Sequence, residues 1–154
     1  MEISFTRGVS WNAALRRLQA RYPAVVQILK AGALYFALVF GAGFVFGAIR
    51  VLWAVPRFGT RTAELMEAPV MFAVTVLAAR WVVRRLSLPS APPARLAVGF
   101  LALGFMLVAE FTLVLWLRGL TIRDYLETRD PLSGTVYFVL LAIFAFMPLL
   151  VARR

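Results

Sequence analysis

The chain has 154 residues, of which 62% are hydrophobic, and its formal net charge is +10. A soluble domain of this length has a smaller apolar fraction because it must also cover its surface, so the composition indicates a membrane protein. Cysteine and histidine are both absent, which excludes disulfides, thiol catalysis, histidine-ligated haem and the usual zinc sites. Because histidine is also the commonest general base, we expect no enzymatic activity, no metal site and no cofactor.

Residues 1–30 are predicted to form a cytoplasmic lead and an amphipathic basic helix. Ser10 can N-cap a helix from Trp11 to about Arg21 that has one apolar and one basic face. Pro23 favours a break, since the residue before a proline is disfavoured in helix, so this helix is expected to lie in the headgroup plane. The alternative is that it extends the first membrane span.

Residues 31–154 are predicted to form a four-helix transmembrane domain. A hydrocarbon core about 30 Å thick requires about 20 apolar helical residues for each crossing. The chain has four apolar runs of suitable length, separated by Arg-rich or Pro/Gly-rich segments: 31–55, 65–83, 96–117 and 135–152. The predicted fold class is therefore an all-α membrane protein with four transmembrane helices.

The connections between these runs have recognisable turn chemistry. Pro56 is expected to end the first span, and residues 57–62 to form a turn. Residues 87–93 are too rich in proline for helix and predict an extended linker. Thr121 and Asp124 form a capping-box pattern for a short surface helix, and the last span opens with Asp130 followed by a proline.

The two halves of the chain are weakly similar to each other. A shift of 61 positions aligns Gly43 with Gly104 and Arg57 with Arg118. Two tandem helical hairpins of the same orientation would form a parallel bundle with a pseudo-two-fold axis.

The basic residues are unevenly distributed between the two ends of the predicted spans. Eleven of the seventeen fall at positions 7–30, 80–95 and 153–154, whereas five of the seven acidic residues share the opposite side. The positive-inside rule then predicts that both termini are cytoplasmic. The use of Arg in place of Lys, with much Ala and Val, suggests a GC-rich bacterial genome, so we expect the chain in a bacterial inner membrane. The same rule and anionic headgroups account for the net charge, so no nucleic-acid partner is expected.

Two features inside the apolar runs stand out. Gly43 and Gly47 form a GxxxG pattern that allows a second helix to approach closely, and Arg50 lies on the same face. Glu110 interrupts an otherwise apolar run, and an intramembrane carboxylate requires compensation. If the first and third spans pack together, Arg50 and Glu110 could form an ion pair, which either only holds the bundle together or serves an ion, proton or anion pathway.

A charged cluster is predicted at the outer end of the first two spans, formed by Arg57, Arg61, Glu64 and Glu67. It could bind a headgroup or the loop of a partner. The alternative is that these residues are helix caps and solvated charges.

Four segments resemble small bacterial inner-membrane proteins of unknown function: GAGFVFGAIRVLWAVP at 41–56, TAELMEAP at 62–69, AARWVVRR at 78–85 and WLRGLTIRDY at 116–125. The resemblance implies four spans and carries no functional residues. We therefore expect a non-enzymatic accessory or scaffolding subunit that contacts lipid, a larger membrane complex or a second copy of itself. The alternative is a small transporter or channel with Glu110 in its pathway.

Overall fold

The computed structural model describes the backbone of residues 11–118 and 131–151, and the side chains of residues 24–113 and 131–151. The described backbone is helical apart from the linker around residues 86–91 and the last residue, 151. In chain order the elements are helix α1 (Trp11–Ile49), a π-helical segment (Arg50–Ala54), α2 (Val55–Arg85), α3 (Pro92–Arg118) and α4 (Pro131–Leu150).

Three helical stretches are long and apolar enough to cross a membrane: Ala24–Arg85, Pro92–Leu113 and Pro131–Leu150. The first has 62 residues and contains a chain reversal at Gly59, whose φ of 77° and ψ of 162° are non-helical. Only glycine adopts such a φ without strain, and Gly59 lies inside the turn predicted at residues 57–62. By helix length and hydropathy the chain is a multi-pass membrane protein, which confirms the predicted all-α membrane class.

The helix boundary expected near Pro23 is wrong. Helix α1 runs without interruption from Trp11 to Ile49. A proline removes one main-chain hydrogen bond, and a helix of 39 residues keeps its remaining bonds on both sides of that position. The N-terminal segment is thus a continuation of the first long helix, as in the alternative interpretation.

The π-helical segment is explained by Pro56. This residue has no N–H group, so it cannot donate the usual helical hydrogen bond to Leu52. The preceding turn widens, and the N–H of Val55 donates instead to the carbonyl of Arg50, five residues back. The end of the span expected at Pro56 is wrong, because α2 continues through this residue and the chain turns only at Gly59.

Each helix packs on two neighbours, in the order α1, α3, α4, α2 around the bundle. The pairs α1–α2 and α3–α4 are the two predicted hairpins. A two-fold axis along the bundle would place equivalent helices at opposite corners, whereas α1 lies beside α3 and α2 beside α4. The two hairpins therefore do not form the parallel two-fold arrangement that the internal similarity suggested. We call the end with Gly59 the turn end, and the end with residues 86–91 the linker end.

The linker between α2 and α3 is held by two side chains. The amide of Gln27 on α1 donates to the carbonyl of Leu86, and Nε of Arg95 donates to the carbonyl of Pro89 at 2.8 Å. Helix α3 then begins at Pro92, where a missing N–H costs little because first-turn amides have no helical partner. The extended linker expected at residues 87–93 is thus present, although shorter.

Small residues close the linker half of the bundle. A side chain added at Gly99 would overlap the carbonyl oxygen of Ala145, so α3 and α4 approach at van der Waals distance there. Gly32 similarly faces Leu101, at 2.8 Å from the position of an added Cβ. Many large apolar side chains lie outside instead, with Leu52 79% and Phe44 67% exposed, as expected for a surface in contact with lipid.

Candidate functional site

The turn half of the bundle contains a cavity of about 350 Å³ between all four helices. Its walls are largely apolar, with aromatic and methionine side chains from each hairpin. Seven polar or charged residues also line it: Arg50, Glu64, Glu67, Thr75, Glu110, Ser133 and Tyr137. Arg50 and Glu64 keep about a third of their side-chain surface exposed, so the charged wall is accessible from outside.

Arg50 forms ion pairs across the α1–α2 hairpin. Its Nη1 atom lies 3.6 Å from Oε1 of Glu64 and 3.3 Å from Oε2 of Glu67. The two helices run antiparallel from Gly59, and Arg50 and Glu67 are nine and eight residues from it, so they meet at the same level. Within the described residues Oε2 of Glu67 is buried without a hydrogen bond, and the guanidinium compensates its charge.

Glu110 has a different partner. The hydroxyl of Tyr137 on α4 donates to Oε2 of Glu110 on α3, across the second hairpin. Arg50 and Glu110 therefore line the same cavity, but among the described residues the ion pairs of Arg50 are made with Glu64 and Glu67. The sequence-based hypothesis paired Arg50 with Glu110 because both lie at a similar depth in the first and third spans. In the structure Arg50 contacts glutamates of α2, and Glu110 contacts Tyr137 of α4, so each partner comes from the same hairpin.

The predicted outer charged cluster is divided in the structure. Arg57 donates from Nη1 to the carbonyl of Trp53 at 2.9 Å, and its guanidinium lies 4.8 Å from the centre of the Trp53 ring. Arg57 is thereby folded back along its own helix, over the turn that precedes it. Arg61 is exposed, whereas Glu64 and Glu67 face the cavity. The structure thus places Arg57 against Trp53, and Glu64 and Glu67 at the cavity.

The predicted glycine pair has unequal surroundings. A Cβ at Gly43 would lie 3.3 Å from the terminal methyl of Met71 on α2, so this glycine packs against a flexible side chain. At Gly47 no described atom lies within 4 Å of that position. The closest helix contact in the described part of the chain involves Gly99, which no recognised motif marks.

The floor of the cavity is formed by Phe144, and the buried Tyr35 packs against its ring. Their rings are stacked with centres 4.5 Å apart, and the hydroxyl of Tyr35 donates to the carbonyl of Phe144 at 3.0 Å. Four residues after Phe144 is Pro148, which has no N–H to offer this carbonyl within α4. Tyr35 provides the missing donor, and the tightly packed core of the linker half lies below it.

Carboxylates outnumber guanidinium groups on the described wall of the cavity. Among the described residues, three carboxylates line it, at Glu64, Glu67 and Glu110, against one guanidinium. They do not converge on a metal, since the described residues contain no group of three potential ligands. The described wall therefore combines carboxylates with a largely apolar surface, an arrangement suited to binding a cation.

Sequence reasoning missed three polar residues of this cavity: Thr75, Ser133 and Tyr137. Hydroxyl groups are tolerated on lipid-facing and core positions alike, so composition does not distinguish them. No signal in the sequence separates Tyr137 from the other aromatic residues of its apolar run.

Comparison with known protein families, with curated proteins and with solved structures gives no match. The resemblance to small bacterial inner-membrane proteins stays an expectation, and the site is interpreted from its own geometry.

The contact between Tyr35 and Phe144 predicts a specific double-mutant result. Tyr35→Phe should lower the free energy of unfolding by about 1–3 kcal/mol, because it leaves a buried carbonyl without a donor. In a Pro148→Ala background the same change should cost less, since the alanine introduced there has an N–H for the carbonyl of Phe144. Unfolding of the four variants in detergent measures this, and equal costs in both backgrounds would contradict the proposed exchange of donors.

A second cycle tests the partners of Arg50. Replacing Arg50 and Glu67 by glutamine, singly and together, should give a coupling of about 0.5–3 kcal/mol, toward the lower value because both side chains are partly exposed. The corresponding cycle with Glu110 should give less than about 0.5 kcal/mol, as expected for residues without a shared contact. A larger coupling with Glu110 would instead favour the pair expected from the sequence.

Proposed function

We propose that this multi-pass membrane protein is a small, non-enzymatic transporter or solute-binding protein that takes up a cation with apolar groups in the turn-end cavity. The observation that carries this proposal is the excess of carboxylates over guanidinium groups within an otherwise apolar cavity. A cation that enters there meets carboxylates and aromatic faces that the fold already holds in place, so the cavity wall attracts it.

The walls favour an organic cation over a simple ion. Phe40, Phe44 and Phe144 line the cavity together with Met71 and Met106. Aromatic faces attract cations, and methionine adapts to irregular apolar shapes. The volume of about 350 Å³ is at the lower end of the range for small-molecule sites, about 300–1,000 Å³.

The closed floor indicates which end of the bundle is open to a solute in this conformation. The cavity is bounded by Phe144, which stacks on the buried Tyr35, and it does not continue into the packed linker half. A continuous channel would need an open path there, so this conformation suits binding from the turn end. Release at the linker end requires a second conformation, as in alternating access.

Binding of benzyltrimethylammonium to the purified protein in detergent tests the proposal, with benzenesulfonate as an anion of similar size. We expect the cation alone to bind, and Glu67→Gln and Glu110→Gln each to weaken it several-fold. Arg50→Gln should strengthen binding because it removes the repelling charge, which general damage to the fold would not do. The matched control Arg57→Gln, outside the cavity, should change nothing. Equal binding of the anion, or weaker binding in Arg50→Gln, would contradict the proposal.

We also propose that the chain lies in a bacterial inner membrane with both termini cytoplasmic, so that the turn end faces the periplasm. The distribution of basic residues supports this orientation. The chain has no cysteine, and Thr60 and Ser90 are exposed at opposite ends. In intact cells an impermeant maleimide should label Thr60→Cys and leave Ser90→Cys unlabelled until the cells are opened. The reverse pattern would show that the chain is inverted.

An accessory or scaffolding role is the second candidate. It is supported by Gly41 and Gly47 on α1, where no described atom lies within 4 Å of an added Cβ, so a helix of a partner or a second copy could approach. A larger complex that co-purifies in native lipid would favour this role. Cation-coupled flux from the pure protein in liposomes would favour the transporter.

A further inference from the structure

A second, separate feature lies on the outside of the bundle at the linker end. An open groove of about 930 Å³ runs between α1 and α2, and it is lined by Leu38 of α1 and by a stripe of α2. The stripe is apolar at Val74, Leu77 and Ala78 and changes to basic within one turn of helix.

The basic end of the groove contains three arginines and a tryptophan: Arg80, Trp81, Arg84 and Arg85. All four are exposed. Among the described residues no carboxylate lies within ion-pair distance of these arginines. Glu64 and Glu67 form their ion pairs with Arg50, at the turn end of the bundle. The chain therefore presents three cationic groups together without an acidic partner from the described part of the fold.

The apolar part of the groove can lie beside the upper part of an acyl chain. From Val74 to Ala78 the α2 axis rises by about 6 Å, and the whole lined stripe to Arg85 rises by about 16 Å, at about 1.5 Å for each residue. Leu77 is 64% and Trp81 49% exposed along this line. Tryptophan is typical of the level where headgroups meet the hydrocarbon, so Trp81 marks the boundary between the two parts of the groove.

We propose that this groove is a binding site for an anionic phospholipid, with the phosphate held by Arg80, Arg84 and Arg85 and one acyl chain lying along Val74 and Leu77. Guanidinium groups bind phosphate oxygens through charge-assisted, often bidentate hydrogen bonds. The charge and the apolar wall together select an anionic lipid. A free phosphate would contact only the arginines, and an uncharged lipid would contact only the apolar wall. The site is independent of the cation cavity, which lies at the opposite end of the bundle.

The experiment is native mass spectrometry of the full chain with phosphatidylglycerol and phosphatidylcholine offered together. The protein should retain phosphatidylglycerol preferentially. Arg80→Gln with Arg84→Gln should reduce the bound fraction at least fivefold. Arg57→Gln with Arg61→Gln is the matched control, because it removes two exposed arginines, also four positions apart, at the other end; it should change the fraction less than twofold. Equal losses in both variants would show attraction by net charge only and would overturn the site.

Two further arms separate the possible occupants. Glycerol phosphate in excess should not displace the lipid, and phosphatidylglycerol with longer acyl chains should bind more tightly than the eight-carbon form. Displacement by glycerol phosphate, or no dependence on chain length, would reduce the groove to a phosphate site and contradict the acyl-chain contact. If the double variant unfolds, the single variant Arg84→Gln gives the same comparison against Arg57→Gln.

Discussion

The reversal of the chain at Gly59 sets the register on which the charged wall of the cavity depends. Pro56 widens the helix before it, and Gly59 turns the chain with a φ that other residues rarely adopt. Because α1 and α2 leave this point antiparallel, Arg50 meets Glu64 and Glu67 at one level. A shift of one residue in either helix would rotate these side chains by about 100° and separate the charges.

The bundle is divided into two halves with different packing. At the linker end small residues such as Gly32, Gly99 and Ala145 allow the helices to approach until no space is left. At the turn end the larger side chains of Phe40, Met71 and Phe144 border a cavity instead. The backbone at this end is also irregular, in the π-helical segment and at Gly59. A lipid environment permits irregular backbone where it lines a cavity, as it does at Arg50.

Much of the fold could be predicted from the sequence, because proline, glycine and arginine mark the ends of the apolar runs. The turn at Gly59, the linker before Pro92 and the start of α4 at Pro131 all fall where these residues predicted them. The partners within the bundle could not be predicted, since apolar runs of nearly uniform hydrophobicity do not reveal which face meets which helix. For this reason the sequence predicted Glu110 as the ion-pair partner of Arg50, from their similar depth in the membrane, and it did not identify Tyr137 as the partner of Glu110.

The hydrogen bond from Tyr35 to Phe144 has a consequence for how the floor of the cavity could move. A carbonyl held by a neighbouring amide is released only when its helix unwinds, whereas one held by a side chain is released by a single rotamer change. Because Pro148 lies four residues after Phe144, α4 already lacks one main-chain hydrogen bond at this point and can bend there at small cost. When the Tyr35 hydroxyl moves away, a water molecule from the cavity can donate to the Phe144 carbonyl in its place. The floor of the cavity is therefore held by a contact that a side-chain rotation can open and close.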